Sequence, residues 1–570
     1  MTTSPELSGS PKLYNKLLAT IAGLGGLLYG IDIGIIAGAL LYLDKTIKLT
    51  EQQTSFVVAA VLAGSAVSSI VAGALADWMG RKKMMIVSAL LFVLSVGIIY
   101  VSNSFVPLLI GRLLQGASGG VIAVVVPLYL AECVPAASRG RSTAMFQFFL
   151  TIGIALAALV GKYYINEAEA AIKAAAGNEA LILAASNHAW RAMFLFVMWP
   201  GFLFLAGTFM VAESPRWLFR KGRVDQARAA LLKSRTPGEA EVEMQEMAEH
   251  LNQSKPVDGG TAHPSGSILQ RKYVIPFVIA CVILGCNQAT GINSILQFLT
   301  LILKKAGLSA EFASNGDFAV KLLNVIATVI AVVLVDRMGR KFLLKTGTAG
   351  IIVSLLIGAA LFYSFESKRV DVSDKVSAAI SSQSLAMPVD VATLGEAIDG
   401  RPMELAVLYR QGDAEKVVSV FTNDEKPVLE IPEAKDKDGK ALPLEIKRAK
   451  YGPVPTEKTG YLVIASLMLF ITSFALGPGV CVWLALSELM PTRIRSIGMG
   501  VALVINQGVS TGIAAFFLPI VGNHGYSAMF LFWAACTVIY FITAAFFLPE
   551  TKGKTLEEIE EHFEGKKPKA

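Results

Sequence analysis

Asp77-Trp78-Met79-Gly80-Arg81-Lys82 recurs 259 residues later as Asp336-Arg337-Met338-Gly339-Arg340-Lys341. A second set, Glu132, Pro135 and Arg139, recurs with the same internal spacing as Glu488, Pro491 and Arg495, 356 residues on. Self-similarity at a long offset marks a duplicated architecture. The offset grows by 97 between the two pairs, so extra residues of about that number sit in the second copy. The repeated charges all fall where an apolar run ends.

Those runs decide the solvent. The chain has 570 residues, of which 54% are hydrophobic and 17% charged. Its mean hydropathy is +0.56. A soluble domain carries roughly 25% charged residues to cover its surface. This chain needs lipid, which excludes a cytosolic enzyme or a nucleic-acid-binding protein as a description of the whole. A spanning helix needs about 20 apolar residues, because hydrocarbon leaves backbone groups no outside partner. Twelve such runs are present, at 17–41, 52–76, 84–102, 107–131, 142–163, 192–212, 273–303, 318–335, 346–365, 459–485, 496–522 and 525–548. The segments that alternate on a β-barrel are absent, so the expected fold is an all-α membrane protein of two six-helix halves.

Lys and Arg set the orientation. The connections after even-numbered spans, with the C-terminal tail, hold about 25 of them, whereas the short connections on the other face hold about six. Both termini are therefore expected in the cytoplasm, with residues 1–16 and 549–570 as the tails. The halves are 17–212 and 273–548. A cytoplasmic linker, 213–272, joins them and contains an amphipathic stretch at 224–251. An external insertion, 366–458, separates 273–365 from 459–548. It carries 14 basic and 17 acidic residues, and its ELAVLYR and AEKVVSVF fragments read as strands or short helices. The first apolar run is too long for a signal peptide. The five cysteines have no metal-ligand spacing, and neither metal nor cofactor is expected.

The motifs resemble those of the sugar porter branch of the major facilitator superfamily. The match covers all twelve spans and fails over the insertion. Besides the two repeats, it rests on Glu213-Ser-Pro-Arg216-Trp-Leu after span 6 and Pro549-Glu550-Thr-Lys-Gly-Lys554 after span 12. The resemblance implies a sugar site between the halves and alternating access by rocking of one half on the other. Asp77, Arg81, Glu132, Arg139, Glu213, Arg216, Asp336, Arg340, Glu488 and Arg495 then read as a cytoplasmic ion-pair latch between the halves.

Sugars present hydroxyls that both donate and accept, so their sites favour amides and an aromatic face. Span 7 carries Asn287, Gln288 and Asn293 in an uncharged run, costly unless they face a cavity or another helix. The resemblance makes them sugar ligands, together with Gln147, Asn324, Asn506 and the stacking Trp483. Tyr29 is expected in the pocket lining. The chain departs from the family at Gln297 and Phe298, where a tyrosine pair is common, and at Gln507, where many members have a tryptophan. The first departure is expected to alter the outer rim of the pocket, the second to make the pocket more polar.

Span 1 holds one charge, Asp32, and span 4 holds Arg112. A charge at membrane depth is a functional residue in search of a partner, and each is the other's natural one. An aspartate that loses its arginine in apolar surroundings takes up a proton, which makes Asp32 and Arg112 the expected coupling pair. The resemblance agrees, since proton-coupled members carry an aspartate here. The reading is a proton-coupled monosaccharide symporter, for hexose or pentose, with a facilitative uniporter or a sugar sensor as alternatives. A transporter rather than an enzyme is expected, monomeric in a bacterial inner (plasma) membrane, its partners a small sugar and the bilayer, not nucleic acid.

Overall fold

The structure, a computed structural model, describes residues 11–550 and Phe563, apart from 135, 254–269, 395–400, 413, 425–426, 435–439, 482–488 and 491–494. Among the described residues eleven helical stretches are long and apolar enough to cross a membrane. The last, Gly498–Phe547, has 50 residues. At 1.5 Å per residue it is more than twice the ~30 Å hydrocarbon thickness. It is broken at Gly525, whose φ of 87° interrupts the helix Arg495–Ile542.

The first and seventh spans are each two helices in series. α1 (Pro11–Gly34) and α2 (Ile36–Thr46) meet at Ile35. α11 (Arg271–Ala289) and α12 (Ile292–Lys305) meet at Gly291, which has φ 85°. A Cβ on Gly291 would lie 2.4 Å from the Trp533 ring, so both the left-handed backbone and the close approach require glycine. The remaining crossings are α3 (Glu51–Met79), α4 (Arg81–Val101), α5 (Phe105–Cys133), α6 (Ala136–Ala174), α7 (Glu179–Met210), α13 (Ala310–Met338), α14 (Arg340–Glu366), α17 (Glu457–Leu476) and α18 (Arg495–Ile542). Small residues let them approach closely, as bilayer packing favours: Gly26 and Gly30 of α1 sit against the backbone of α6 at Phe146 and Leu150.

The linker forms three helices, α8 (Pro215–Arg220), α9 (Val224–Ser234) and α10 (Pro237–Gln253). The amphipathic stretch expected as one element is thus divided at Pro237, as proline at a first helical turn permits. Arg235 is buried at that joint, bonds Glu243 at 2.8 Å and donates to the Cys133 carbonyl at the end of α5.

The all-α expectation is corrected in the insertion, which is largely β. One sheet has the order β1 (Val370–Asp371), β7 (Leu444–Pro453), β4 (Met403–Gln411), β5 (Ala414–Phe421). The other has β2 (Ile380–Ser381), β3 (Ser384–Pro388), β6 (Val428–Ile431). Every strand pair is antiparallel, with Leu405 opposite Val420 and Tyr451. Two short helices, α15 (Ser373–Ala378) and α16 (Val391–Leu394), complete it. The β-branched, alternating character of MELAVLYRQ and AEKVVSVF suits a pleated, half-buried surface. Leu405, Val407, Leu429 and Ala449 form a core separate from that of the helices.

Candidate functional site

A cavity of about 850 Å³ lies between the halves. Its lining brings together Tyr29, Gln147, Asn287, Gln288, Asn293, Asn324, Asn506 and Gln507, all named from sequence. Among the described residues, no Asp, Glu, Lys, Arg or His lines it. The joint at Gly291 is what gathers the amides: it turns α12 so that Asn293 Nδ2 donates to Gln288 Oε1 at 2.9 Å. Asn293 also donates to Ser510 Oγ at 2.8 Å, and Gln288 Nε2 to Asn506 Oδ1 at 3.3 Å. Asn506 Nδ2 reaches the Leu284 carbonyl at 3.0 Å. The amides thus bond one another across helices while lining the cavity. The Asn287 side-chain nitrogen is buried with no acceptor at hydrogen-bond geometry among the described residues. Ser510 belongs to this cluster and was not singled out from sequence, because a serine in an apolar helix looks like any other.

Gln297 and Phe298 do not form a pocket rim. Both are fully buried and neither lines the cavity. Phe298 stacks on Phe517 at 4.3 Å between ring centres. Trp483 and Glu488 lie outside the described residues, as do the side chains of Arg139, Asp336 and Arg495.

Asp32 and Arg112 are fully buried on neighbouring helices, but the direct pair expected from sequence is not formed. Gln115 stands between them. Its Nε2 donates to Asp32 Oδ1 at 2.8 Å, and its Oε1 accepts from Arg112 at 2.7 Å. Gln115 lies one turn along α5 from Arg112, so both reach the same face. The second Asp32 oxygen has no hydrogen-bond partner among the described residues. Tyr29, one turn before Asp32 on α1, lines the cavity, so the carboxylate sits directly behind the cavity wall.

Among the described residues, the charges at the end of α3 form a cluster with one another and with Arg220 of the linker. Buried Arg81 pairs with Asp77 at 2.7 Å and Glu132 at 2.8 Å. Ser214 Oγ donates to Glu132 in a very short contact. Arg216 is exposed, and it is Arg220, one turn further, that approaches Asp77 at 3.3 Å and Glu132 at 3.7 Å. Glu213 has another task. Its Oε1 accepts from the backbone N–H groups of Arg81 at 2.9 Å and Lys82 at 3.1 Å. A carboxylate at a helix N-terminus satisfies orphan donors and meets the positive end of the dipole. In the second half Glu550 does the same for Arg340 at 3.1 Å and Lys341 at 3.2 Å. The glycine of each repeat makes room: Gly80 and Gly339 have φ of 101° and 86° and face the capping carboxylates. The repeat read from sequence is therefore a repeated helix cap.

A third buried charge pair was overlooked in the apolar run of span 8. Lys321 and Asp317, one turn apart on α13, are both buried and 2.8 Å apart. Lys321 also donates to the Gly34 carbonyl of α1 at 3.3 Å, across the halves.

Comparison with known proteins follows the same lines. The family described as "Sugar (and other) transporter" matches residues 18–382 and 448–563, leaving out the middle of the insertion. A glucose transporter of Staphylococcus epidermidis is 29% identical, with 96% of this chain and 97% of that protein covered. A galactose-proton symporter of Escherichia coli K12 is 27% identical, covering 98% and 97% respectively. The solved inward-open conformation of the Escherichia coli xylose transporter XylE superposes with a TM-score of 0.67 at 21% identity, over 96% of this chain and 99% of that one. That likeness is one of fold.

Proposed function

Because the chain belongs to the sugar porter family of the major facilitator superfamily, we propose that this sugar transporter is a proton-coupled monosaccharide symporter. It works by alternating access, with both termini and the 213–272 linker in the cytoplasm and the insertion outside. The observation that carries the coupling is Asp32: a carboxylate buried at membrane depth, one turn from cavity-lining Tyr29, with one oxygen unpartnered among the described residues. A group in that position takes up a proton when its amide and guanidinium neighbours move, and gives it up when they return. The name of the galactose-proton symporter relative supports the same reading.

The sugar ligands are Gln147, Asn287, Gln288, Asn293, Asn324, Asn506 and Gln507, with Tyr29 on the wall. With no charged side chain in the lining among the described residues, the cavity suits a neutral hexose or pentose. The amides that now bond one another exchange those partners for sugar hydroxyls, so little desolvation is left uncompensated. The cytoplasmic cluster of Asp77, Arg81, Glu132 and Arg220 holds the linker helices to the ends of α3 and α5 as one unit, so that the half rocks as a body.

The test is sugar-induced alkalinisation in proteoliposomes containing the purified protein. Sugar exchange without any pH change would overturn proton coupling. Asp32→Asn is expected to abolish uphill uptake and to leave counterflow; uphill uptake surviving in that variant would remove Asp32 from the role.

A further inference from the structure

The insertion is attached only to the C-terminal half, between α14 and α17, yet it reaches the N-terminal half. Arg448, on β7, places Nη2 3.0 Å from Glu51 Oε1, at the first turn of α3. Its other terminal nitrogen donates to Asn523 Oδ1 at 2.9 Å, just before the Gly525 break in α18. Lys450, two residues along the same strand, reaches the Asn523 carbonyl at 3.4 Å. One guanidinium thus holds a residue of each half. Arg448 and Glu51 are largely buried, with side chains 19% and 26% exposed.

The surroundings are shaped for this contact. A Cβ on Gly522 would come within 2.7 and 2.8 Å of the two terminal nitrogens of Arg448 and 2.8 Å of Glu51 Oε2. The absence of that one carbon lets the ion pair seat against the chain turn. The C-terminal side of the contact is itself braced. Glu366, where α14 leads into the insertion, accepts from the N–H groups of Tyr526 at 2.7 Å and Ser527 at 3.0 Å. The insertion therefore moves with the C-terminal half.

The seam beneath Arg448 is closed. Gln52 donates to the Ala515 carbonyl at 2.9 Å, Leu518 N–H donates to Ser55 Oγ at 3.1 Å, and Ala59 and Leu62 pack on Ala514 and Ala515. All join α3 to α18 near their insertion-side ends. The cavity lining, by contrast, runs away from this seam to Gly500 and Val501, near the linker-side start of α18.

We infer that the insertion is an external clasp, in which Arg448 closes onto Glu51 each time the outer side of the transporter shuts and so sets how the protein divides its time between outward-open and outward-closed states. This rests on the alternating-access reading and its orientation. The pair forms only when the outer ends of the halves meet, so its energy counts in one state and not the other, which is the condition for shifting a two-state equilibrium.

The experiment reads the outer gate without any substrate. Ala515→Cys is placed in the full-length protein, and its modification by a membrane-impermeant maleimide is followed from outside, against a control with the five native cysteines alone. Arg448→Gln keeps a donor for Asn523 and removes the charge facing Glu51; it is expected to raise the labelling rate about fivefold, as for a partly exposed charged hydrogen bond. Arg448→Glu does so more strongly, and adding Glu51→Arg to it returns the rate toward that of the parent. The single variants labelling at the parental rate would overturn the clasp, as would a charge-reversed double variant that labels no more slowly than Arg448→Glu alone. The double variant also shows that the insertion remains folded and docked. Since labelling needs neither sugar nor a proton gradient, failure of sugar or proton transport leaves its outcome legible.

Discussion

Arg112 reaches Asp32 through the amide of Gln115, not directly. The amide has a polarity: its nitrogen faces the carboxylate and its oxygen faces the guanidinium. That arrangement suits ionised Asp32, which accepts, and Arg112, which only donates. A proton arriving on the Oδ1 oxygen turns it into a donor facing a donor, so the amide must turn or the carboxyl must move. Under the proposed coupling, that rearrangement is how protonation of Asp32 would be passed to Arg112.

Gln115→Leu should therefore separate transport from coupling. Two buried charged groups each lose a partner, at about 1–3 kcal/mol per unsatisfied group. Uphill accumulation of sugar is expected to fall roughly tenfold or more on that basis, with counterflow retained. Gln115→Glu should be worse for uphill uptake than Gln115→Leu, since it sets a second carboxylate against Asp32. Equal accumulation by the parent and both variants would remove Gln115 from the coupling path.

Glu213 and Glu550 cap equivalent helices in the two halves, and removing each charge should cost stability without selecting for sugar. Glu213→Gln and Glu550→Gln weaken the charge-assisted bonds to two backbone N–H groups, about 1 kcal/mol apiece for a cap. Thermal unfolding in detergent should show both losses. The two sites lie in different halves with no shared partner among the described residues, so the double variant should lose the sum of the singles. A double variant no less stable than one single would show that the caps are not independent.

Gly291→Ala tests the joint that assembles the proposed sugar ligands. The substitution forces a Cβ into the Trp533 ring at 2.4 Å and strains a backbone at φ 85°. Strain of this type costs about 1–3 kcal/mol. It falls on the turn that brings Asn293 to Gln288, so apparent sugar affinity should drop with thermal stability, measured by sugar protection against unfolding. A variant that loses stability yet keeps full sugar affinity would show that the joint does not position the amides.

The parts legible in the sequence were those that a local pattern encodes. Apolar run length gave the helices, and the doubled Asp77 and Asp336 motifs gave the two halves. The amides of span 7 stood out because hydrocarbon makes each one costly, and the cavity collects them. What stayed hidden depends on three-dimensional juxtaposition. Arg448 and Glu51 are 397 residues apart, and nothing local to either points to the other. Gln115 lies beside Arg112 in plain view, yet two opposite charges suggested a direct pair, and only packing reveals that an amide fits between them. Lys321 was masked by the apolar residues around it and by its neutralising partner Asp317. Arg216 belongs to the motif but is exposed, and it is Arg220, one turn on in α8, that meets Asp77 and Glu132.

Glu404, in the insertion, gives the pH dependence of that β subdomain. Burial alone would raise its carboxyl, but Lys305 and Arg369, with hydrogen bonds from Ser419 and Arg369, outweigh burial and hold it below its ordinary value. The Arg369 contact is 2.8 Å and that from Ser419 2.9 Å. A carboxyl depressed in the folded state adds stability that is fully present above the unfolded value of 4.5 and is lost as pH falls through the folded value. The insertion should therefore loosen in acid, below about pH 4.5, and not near neutrality. Glu404→Gln should remove that acid limb and cost roughly 2 kcal/mol at pH 7, because Arg369 keeps its buried position without its counter-charge. Limited proteolysis of the insertion across pH 3–7 reads both effects. An unchanged acid limb in the Glu404→Gln variant would assign the transition to another carboxylate.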